Sequence, residues 1–235
     1  MNKAAGFQFK QFFIEHSQVA MKVGTDSIIL GSWLNVYQTE KILDVGTGSG
    51  LLAIMLAQKS DQNCQIVGID IEADAIRQAA SNAENSPWSN KLSFVHQPFQ
   101  SCQTCGWDLI VSNPPYFPAG QRFGSSRQIA RHNQHLGYAE LLRHSASLLN
   151  RNGRFACIIP HQFVPDVVAY ARDYGLLLGK QLVIRASDSK SPIRSVLQFS
   201  AQADQTVVEE LSIHSPQGDY SMAYKRLCKD YYLNF

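Results

Sequence analysis

Three glycines and two carboxylates form the first group of residues whose types and spacing indicate chemistry. Asp44, Gly46, Gly48 and Gly50 lie in the stretch DVGTGSG, directly after a short run of β-branched and apolar residues. Glycines at the end of a strand allow a sharp turn and allow a ligand to lie against main-chain atoms. Asp70 ends the next predicted strand, where a carboxylate can accept hydrogen bonds from both ribose hydroxyls of an adenosine. The pattern predicts a nucleoside-containing cofactor.

Two cofactors fit this loop. NAD remains open because the stretch from Gly48 to Ala53 satisfies the G-x-G-x-x-A version of the dinucleotide fingerprint. S-adenosylmethionine (SAM) is favoured because Asp44, two residues before the first glycine, suits the cationic amine of an amino-acid moiety better than a pyrophosphate. An Asx-type turn bond from Asp44 to its own loop is the alternative role for this side chain, and it could coexist with ligand binding.

The tetrapeptide Asn113-Pro114-Pro115-Tyr116 closes the fourth predicted strand and carries the sharpest signal. Its two prolines stiffen the loop and remove two N–H donors, so the main chain and the Asn113 amide oxygen present acceptors. Such acceptors match an exocyclic amine, which they can activate for attack on a sulfonium methyl without a metal or a general base. Tyr116 would stack on an unpaired base. The alternative is a rigid turn in which Asn113 is an ordinary turn residue.

The elements that must position these residues alternate along the chain. Short apolar strands alternate with helices of ten or more residues, a pattern typical of βαβ units and a parallel sheet covered on both faces. Two closely spaced strands, near 178–186 and 195–202, predict an antiparallel pair at the sheet edge. We therefore expect a single α/β domain over 1–235 with a seven-stranded, mostly parallel sheet at 41–204, an N-terminal lead-in of about 40 residues and a C-terminal tail at 205–235.

Composition and charge narrow the class of protein further. The chain has 235 residues, 45% hydrophobic and 17% charged, with a net charge of +2. No apolar stretch approaches the ~18 residues of a membrane span, and the N-terminus lacks a secretory signal. Five cysteines, an odd number, fit reduced thiols in the cytoplasm. Cys102 and Cys105 form a pair without a second pair, so we expect no metal site.

Positive charge is concentrated in the middle of the chain. Residues 101–200 carry 11 basic and 5 acidic side chains, a net charge of +6. Arginine-rich, serine-spaced segments suit phosphate contacts, although a solvated face is the alternative. The candidate phosphate-binding residues are Arg122, Arg127, Arg131 and Arg194.

These motifs together resemble the class I SAM-dependent methyltransferases with an NPPY motif, whose sheet is Rossmann-like. More closely, the chain resembles the bacterial tRNA1(Val) (adenine-37-N6)-methyltransferase family over nearly its full length. The similar segments are FQFKQFFIEHSQVAMKVGTDSIILGSW, LDVGTGSGLLAIMLAQ, SPWSNKL, LIVSNPPY and DYSMAYKRLCKDYYLNF. The first and last of these are the most specific, since many relatives share the glycine loop and NPPY.

The resemblance implies a role for individual residues. It makes Asp44, Gly46 and Gly50 the wall beside the methionine part of SAM and Asp70 the ribose ligand. It makes Asn113, Pro114 and Tyr116 the reacting set, with Thr25 closing the pocket from the N-terminal side. Such enzymes often carry an acid that binds the adenine amine after the third strand. This chain has Gln97 there, so we expect Gln97 or a backbone carbonyl to replace the acid.

The function that follows is SAM-dependent N6-methylation of an unpaired adenine in the anticodon loop of a tRNA, by an enzyme in which a monomer is favoured. A release-factor glutamine or an rRNA guanine amine is the nearest alternative substrate. Enzymes that modify protein glutamine usually carry a separate helical domain before the sheet, for which about 40 residues leave no room. A NAD-dependent oxidoreductase is the alternative outside this class, and no catalytic pair for it stands out.

Overall fold

A sheet of eight strands forms the centre of the chain in the computed structural model, which describes residues 5–17, 19, 22–115 and 137–235. A separate two-stranded antiparallel hairpin precedes it, formed by β1 (Gly6–Gln8) and β2 (Phe13–Glu15). The sheet strands are β3 (Lys41–Val45), β4 (Gln65–Asp70), β5 (Leu92–His96), β6 (Trp107–Ser112), β7 (Leu149–Pro160), β8 (Leu177–Ser187), β9 (Pro192–Ser200) and β10 (Val207–His214). Their order is β10-β8-β9-β7-β6-β3-β4-β5.

Six α-helices lie within the described residues. They are α1 (Thr25–Trp33), α2 (Leu51–Lys59), α3 (Ala73–Glu84), α4 (Tyr138–Leu148), α5 (Val164–Asp173) and α6 (Met222–Cys228). None of these helices is long and apolar enough to cross a membrane.

The helices cover both faces of the sheet because successive strand residues point to opposite sides. On β3, Ile42 belongs to a core cluster shared with α1, α2 and α6, whereas Leu43 belongs to a cluster shared with α4 and α5. Both side chains are at most 1% exposed. Burial of an aliphatic side chain of this size contributes about 1.5–3 kcal/mol, so the two clusters hold the sheet between its helices.

The α/β architecture and the mostly parallel sheet agree with the sequence-based prediction, but two details of the sheet differ. β8 and β9 do form the predicted antiparallel pair, yet β9 lies inside the sheet between β7 and β8. The edge strand on this side is β10, an eighth strand that pairs in parallel with β8. Only Leu211 of β10 is buried. Because β10 packs so little against the core, its sequence lacks the apolar alternation that marks a strand, and the prediction of a C-terminal tail from residue 205 was wrong for this strand.

Parallel pairing brings four strand ends to one edge of the sheet. β3 pairs in parallel with both β4 and β6, and β4 pairs in parallel with β5. Neighbouring strands lie about 4.8 Å apart. The carboxyl ends of these strands, and the loops that follow them, therefore form one continuous row.

Candidate active site

The glycine loop that follows β3 turns through three left-handed residues. Gly46, Gly48 and Gly50 have φ values of +73°, +54° and +77°, a region that other residues adopt only with strain. A Cβ atom at Gly46 or Gly48 would meet nothing within 4 Å. The loop thus exposes bare main chain to open space, where a ligand can lie directly against it.

Four N–H groups of this loop are already used within the protein. Gly46 and Thr47 donate to the Ile69 carbonyl at 2.9 and 3.0 Å, and Gly50 donates to the Thr47 carbonyl at 2.9 Å. Gly48 donates to Oδ2 of Asp70 at 2.9 Å. A pyrophosphate needs free N–H donors at such a loop, so this arrangement favours a ligand that does not depend on them.

Asp44, at the end of β3, is a buried carboxylate with 1% exposure. Its Oδ2 accepts a hydrogen bond from Oγ1 of Thr47 at 2.7 Å. The pKa of Asp44 is raised from 3.8 to about 7: burial is the largest cause and the carboxylate of Asp70 adds to it, whereas the Thr47 hydroxyl and the Ala53 N–H partly oppose the rise. Among the described residues, no ion pair involves Asp44. A cation brought into the loop would supply the missing stabilisation of its charge.

Asp70 ends β4 with both carboxylate oxygens oriented by the main chain. Oδ2 accepts from Gly48, as above, and Oδ1 accepts from the N–H of Glu72 at 3.0 Å. Each carboxylate oxygen can accept a further hydrogen bond. The half-buried side chain is therefore held beside the glycine loop with acceptor capacity to spare, as the ribose prediction requires.

Gln97 lies beside Asp70 at the same edge. Its N–H donates to the Asp70 carbonyl at 3.0 Å, and the side chain is half-buried. Ile71, which follows Asp70, is 48% exposed, so an exposed apolar side chain lies next to the predicted ribose ligand.

Gly68 within β4 is a position that the sequence analysis missed. A Cβ atom there would lie 2.5 Å from Cδ1 of Phe94 and 2.7 Å from Oγ1 of Thr47. Only glycine lets the Phe94 ring and the Thr47 hydroxyl approach the strand this closely. Thr47, whose hydroxyl contacts Asp44, therefore depends on a glycine in the neighbouring strand, and that glycine in an otherwise apolar run was the available signal.

The predicted reacting loop begins where β6 ends, next to the glycine loop. Val45 pairs with Ser112 in register, and Oγ of Ser112 donates to the Val45 carbonyl at 2.8 Å. Asn113 and the glycine loop are thereby held side by side. Pro114 is buried and Pro115 is exposed, while Tyr116 lies outside the described residues.

The amide of Asn113 has one end bound and one end free. Its Nδ2 donates to Oγ of Ser27 on α1 at 2.8 Å. Its Oδ1 is buried, and within the described parts of the chain it has no hydrogen-bond partner. A buried acceptor without a donor costs about 1–3 kcal/mol, so this oxygen is suited to receive a hydrogen from a substrate.

The first turn of α1 approaches this loop from the N-terminal side. Thr25, the predicted closing residue, is the exposed first residue of the helix, two positions before Ser27. Asp26 in the same turn accepts from Nε of Arg194 at 3.1 Å. Arg194, on β9, lies at the same edge as Asn113, with β7 between their strands. A candidate phosphate ligand thus also anchors α1.

The remaining predicted phosphate ligands, Arg122, Arg127 and Arg131, lie outside the described residues. On β8, Arg185 pairs with Glu210 at 3.6 Å, so part of its charge is already balanced. No group of three or more His, Cys, Asp or Glu side chains across residues 5–17, 19, 22–115 and 137–235 could hold a metal ion.

Comparisons with known proteins place this geometry in context. The model of the "Methyltransferase small domain" family matches residues 16–166. A tRNA1(Val) (adenine(37)-N6)-methyltransferase of Pseudoalteromonas atlantica is 42% identical over 99% of this chain and 100% of its own length. A protein of the same name from Aeromonas hydrophila is 38% identical over 99% of both chains.

A solved structure supports the fold alone. A protein of Agrobacterium tumefaciens described as a predicted O-methyltransferase superposes with a TM-score of 0.70 at 13% identity, and the match covers 88% of this chain and 96% of that one.

Proposed function

Given that the chain belongs to the tRNA1(Val) (adenine(37)-N6)-methyltransferase family, we propose that it transfers a methyl group from SAM to N6 of an unpaired adenine in the anticodon loop of a tRNA. The observation that carries this proposal is the buried Oδ1 of Asn113, which has no hydrogen-bond partner among the described residues and lies on a donor-poor loop beside the glycine loop. An acceptor in that place suits an amine held next to a methyl donor.

The residues of the glycine loop fit SAM better than NAD. Bound SAM would supply an electrophilic methyl group on a sulfonium. Asp44 would accept hydrogen bonds from the cationic amine, against main chain left open at Gly46 and Gly48. A pyrophosphate would instead place negative charge beside two carboxylates, Asp44 and Asp70, and four of the loop N–H groups would already be occupied.

Other residues of the same edge would bind the adenosine part. Asp70 would accept from the ribose hydroxyls through its remaining lone pairs, and Gln97 would meet the adenine amine through its side chain or a neighbouring carbonyl. Gly50 would complete the turn, and Thr25 would close the pocket from the side of α1. The placement of Asp70 and Gln97 at one sheet edge supports their share of these roles.

Asn113 and Pro114 would act on the target amine. The lone pair of an exocyclic adenine amine is delocalised into the base, and acceptors directed at both of its hydrogens localise it. The nitrogen becomes cationic as it attacks, so hydrogen bonds to Asn113 Oδ1 and to loop carbonyls strengthen towards the transition state. Such a bond to a charged group contributes about 1.5–3 kcal/mol. The surplus proton then leaves to solvent.

The tRNA would be held by arginines and by base stacking. Arg122, Arg127 and Arg131 would contact phosphates, and Tyr116 would stack on the target base. Arg194, which donates to Asp26 and to the Ile193 carbonyl, would add positive charge on the phosphate side. An unpaired loop base costs little to extract. We place this activity in the cytoplasm and in one methyltransferase domain over 1–235, acting as a monomer.

Asn113→Ala tests the role of the free amide oxygen. We expect kcat to fall about ten- to a hundredfold while the Kd for SAM stays within a few fold, because the cofactor residues lie on other strands. Isothermal titration and single-turnover methyl transfer measure the two quantities. Equal loss of both would show that Asn113 only maintains the loop.

The substrate is tested by mass spectrometry of nucleosides. Cells that lack this protein should lose N6-methyladenosine from tRNA, and the purified protein with SAM should restore it. Restoration of a methylated guanine, or methylation of a release-factor glutamine, would redirect the assignment to one of the alternative substrates. A thermal shift with NAD and none with SAM would exclude methyl transfer altogether.

A further inference from the structure

A buried asparagine, Asn82 on α3, joins two parts of the protein that are distant in sequence. Its Nδ2 donates to the carbonyls of Glu15 at 2.9 Å and Ser49 at 2.8 Å, and its Oδ1 accepts from the Glu15 N–H at 3.0 Å. The side chain is 4% exposed. Both amide hydrogens and one carbonyl lone pair are therefore used to connect the N-terminal hairpin to the glycine loop.

The position of Asn82 on the helix makes this polar side chain notable. The buried face of α3 consists of Ala75, Gln78, Ala79, Asn82 and Ala83, a spacing at which apolar residues normally pack. Burial of an amide is unfavourable unless its hydrogen bonds are replaced. At Asn82 three main-chain groups replace them, and each of these groups would in turn lose its partner if the amide were removed.

The hydrogen bond from Asn82 to the Ser49 carbonyl fixes the part of the glycine loop that a cofactor would contact. Ser49 lies between Gly48 and Gly50, both in left-handed conformation, so the orientation of its carbonyl determines how the loop turns. α3 is in direct contact there, since a Cβ atom on Gly50 would lie 3.1 Å from Cβ of Ala79. Asn82 therefore holds the loop where α3 packs against it.

The contact with Glu15 acts on the segment that leads to the reacting loop. Glu15 ends β2, and the chain continues from it to α1, where Ser27 holds the Asn113 amide. Ser17 strengthens the same junction, because its Oγ donates to Oε1 of Glu15 at 2.6 Å. Asn82 thus lies where the cofactor loop and the lead-in to the reacting side meet.

We propose that Asn82 is a positioning residue for the cofactor: by bonding Glu15 and Ser49 together it holds the glycine loop and the N-terminal hairpin in the arrangement that binds SAM. The inference rests on the proposed use of SAM at this loop. The coupling between the hairpin and the cofactor is reciprocal. If the hairpin stabilises the loop conformation that binds SAM, then bound SAM must stabilise the hairpin by the same free energy.

Asn82→Ala and Asn85→Ala form a matched pair for the test. Asn85 follows the same helix, is exposed, and bonds only locally to the Ser81 carbonyl at 2.8 Å. By isothermal titration we expect Asn82→Ala to weaken SAM binding about tenfold and Asn85→Ala to leave it within about twofold. The KM for SAM should rise in parallel, with kcat at saturating SAM nearly unchanged.

Asn82→Asp gives a readout that a purely structural role would not produce. The introduced carboxylate keeps the acceptor for the Glu15 N–H but faces the two carbonyls of Glu15 and Ser49, so binding at pH 8 should be weaker than in Asn82→Ala. Once protonated, the carboxyl can donate one hydrogen bond. The ratio of its SAM affinity to that of the wild type should therefore rise at least about tenfold between pH 8 and pH 5.5.

The results separate the positioning role of Asn82 from the assignment of SAM as the cofactor. An Asn82→Ala affinity within twofold of wild type, or a pH-independent ratio for Asn82→Asp, would overturn the positioning role. If Asn82→Ala is unfolded at the assay temperature, the ratio of Asn82→Asp to wild-type SAM affinity across pH carries the test alone. Absence of SAM binding by the wild type would instead refute the cofactor assignment.

Discussion

The buried carboxylate of Asp44 makes SAM binding depend on pH in a direction that can be worked out. Ligand-free protein has an Asp44 pKa of about 7, mainly because the side chain is buried. A cationic amine bound beside it would favour the ionised form and lower that pKa. Below pH 7, binding should therefore release a proton from Asp44, and SAM affinity should rise with pH.

The size of the pH effect follows from the pKa shift of Asp44. A rise from 3.8 to about 7, at about 1.4 kcal/mol per pKa unit, corresponds to about 4 kcal/mol of differential stability. Because the folded-state pKa is raised, this contribution to folding is fully present below pH 3.8 and is lost as pH rises through 7. For SAM the same linkage predicts affinity that rises about tenfold per unit from pH 5.5 to 7 and then levels off.

Calorimetric titration in two buffers of different ionisation enthalpy measures the protons released. Wild-type protein should release nearly one proton per SAM at pH 6 and about half a proton at pH 7. Methylthioadenosine, which lacks the amino-acid part, should release none and serves as the control ligand. Asp44→Asn should remove the proton release and weaken SAM binding at pH 8, yet raise the Tm of the ligand-free protein there, since no buried charge remains.

The critical feature of this prediction is that Asp44→Asn should weaken SAM binding while it raises the Tm of the ligand-free protein. If Asp44→Asn lowered both, the carboxylate would be a structural acceptor for Thr47 and not a ligand for the amine. The assignment would also be refuted by wild-type affinity that does not change between pH 5.5 and 7, or by an Asp44→Asn variant that keeps the wild-type slope.

Two further predictions concern the reacting loop and the tRNA. Ser27→Ala should release the Asn113 amide and lower kcat about three- to tenfold with unchanged SAM affinity. Ser27→Thr keeps the hydroxyl and should keep the rate. An equally large fall in kcat in the control Ser32→Ala, at the other end of α1, would contradict this role of Ser27. Charge reversal should weaken tRNA binding and flatten its salt dependence in filter-binding assays, and unchanged affinity would exclude phosphate contacts by the reversed residues, Arg122, Arg127 and Arg131.

Much of the site could be predicted from sequence because its geometry is local to each strand end. Asp44, Asp70 and Asn113 each close or follow an apolar run, and parallel pairing brings such ends to one edge whatever the details of packing. The left-handed glycines could be predicted for the same reason, since the turn and the missing Cβ are properties of a few adjacent residues.

Contacts between distant elements were beyond sequence analysis. Ser27 and Asn113 are 86 positions apart, Asp26 and Arg194 are 168 apart, and Glu15 and Asn82 are 67 apart. No local pattern marks these pairs, and strand β10, with one buried residue, carries too little alternation to be recognised.

The sequence by itself determined which chemical groups stand at the strand ends and in what order, because residue type, short-range sterics and the period of apolar residues act over a few positions. Only the tertiary structure decided which acceptor stays free. Packing of α1 against the reacting loop binds one end of the Asn113 amide and leaves Oδ1 without a partner among the described residues. Burial in the folded protein likewise raised the pKa of Asp44 to about 7. Both depend on which surfaces meet in the folded protein.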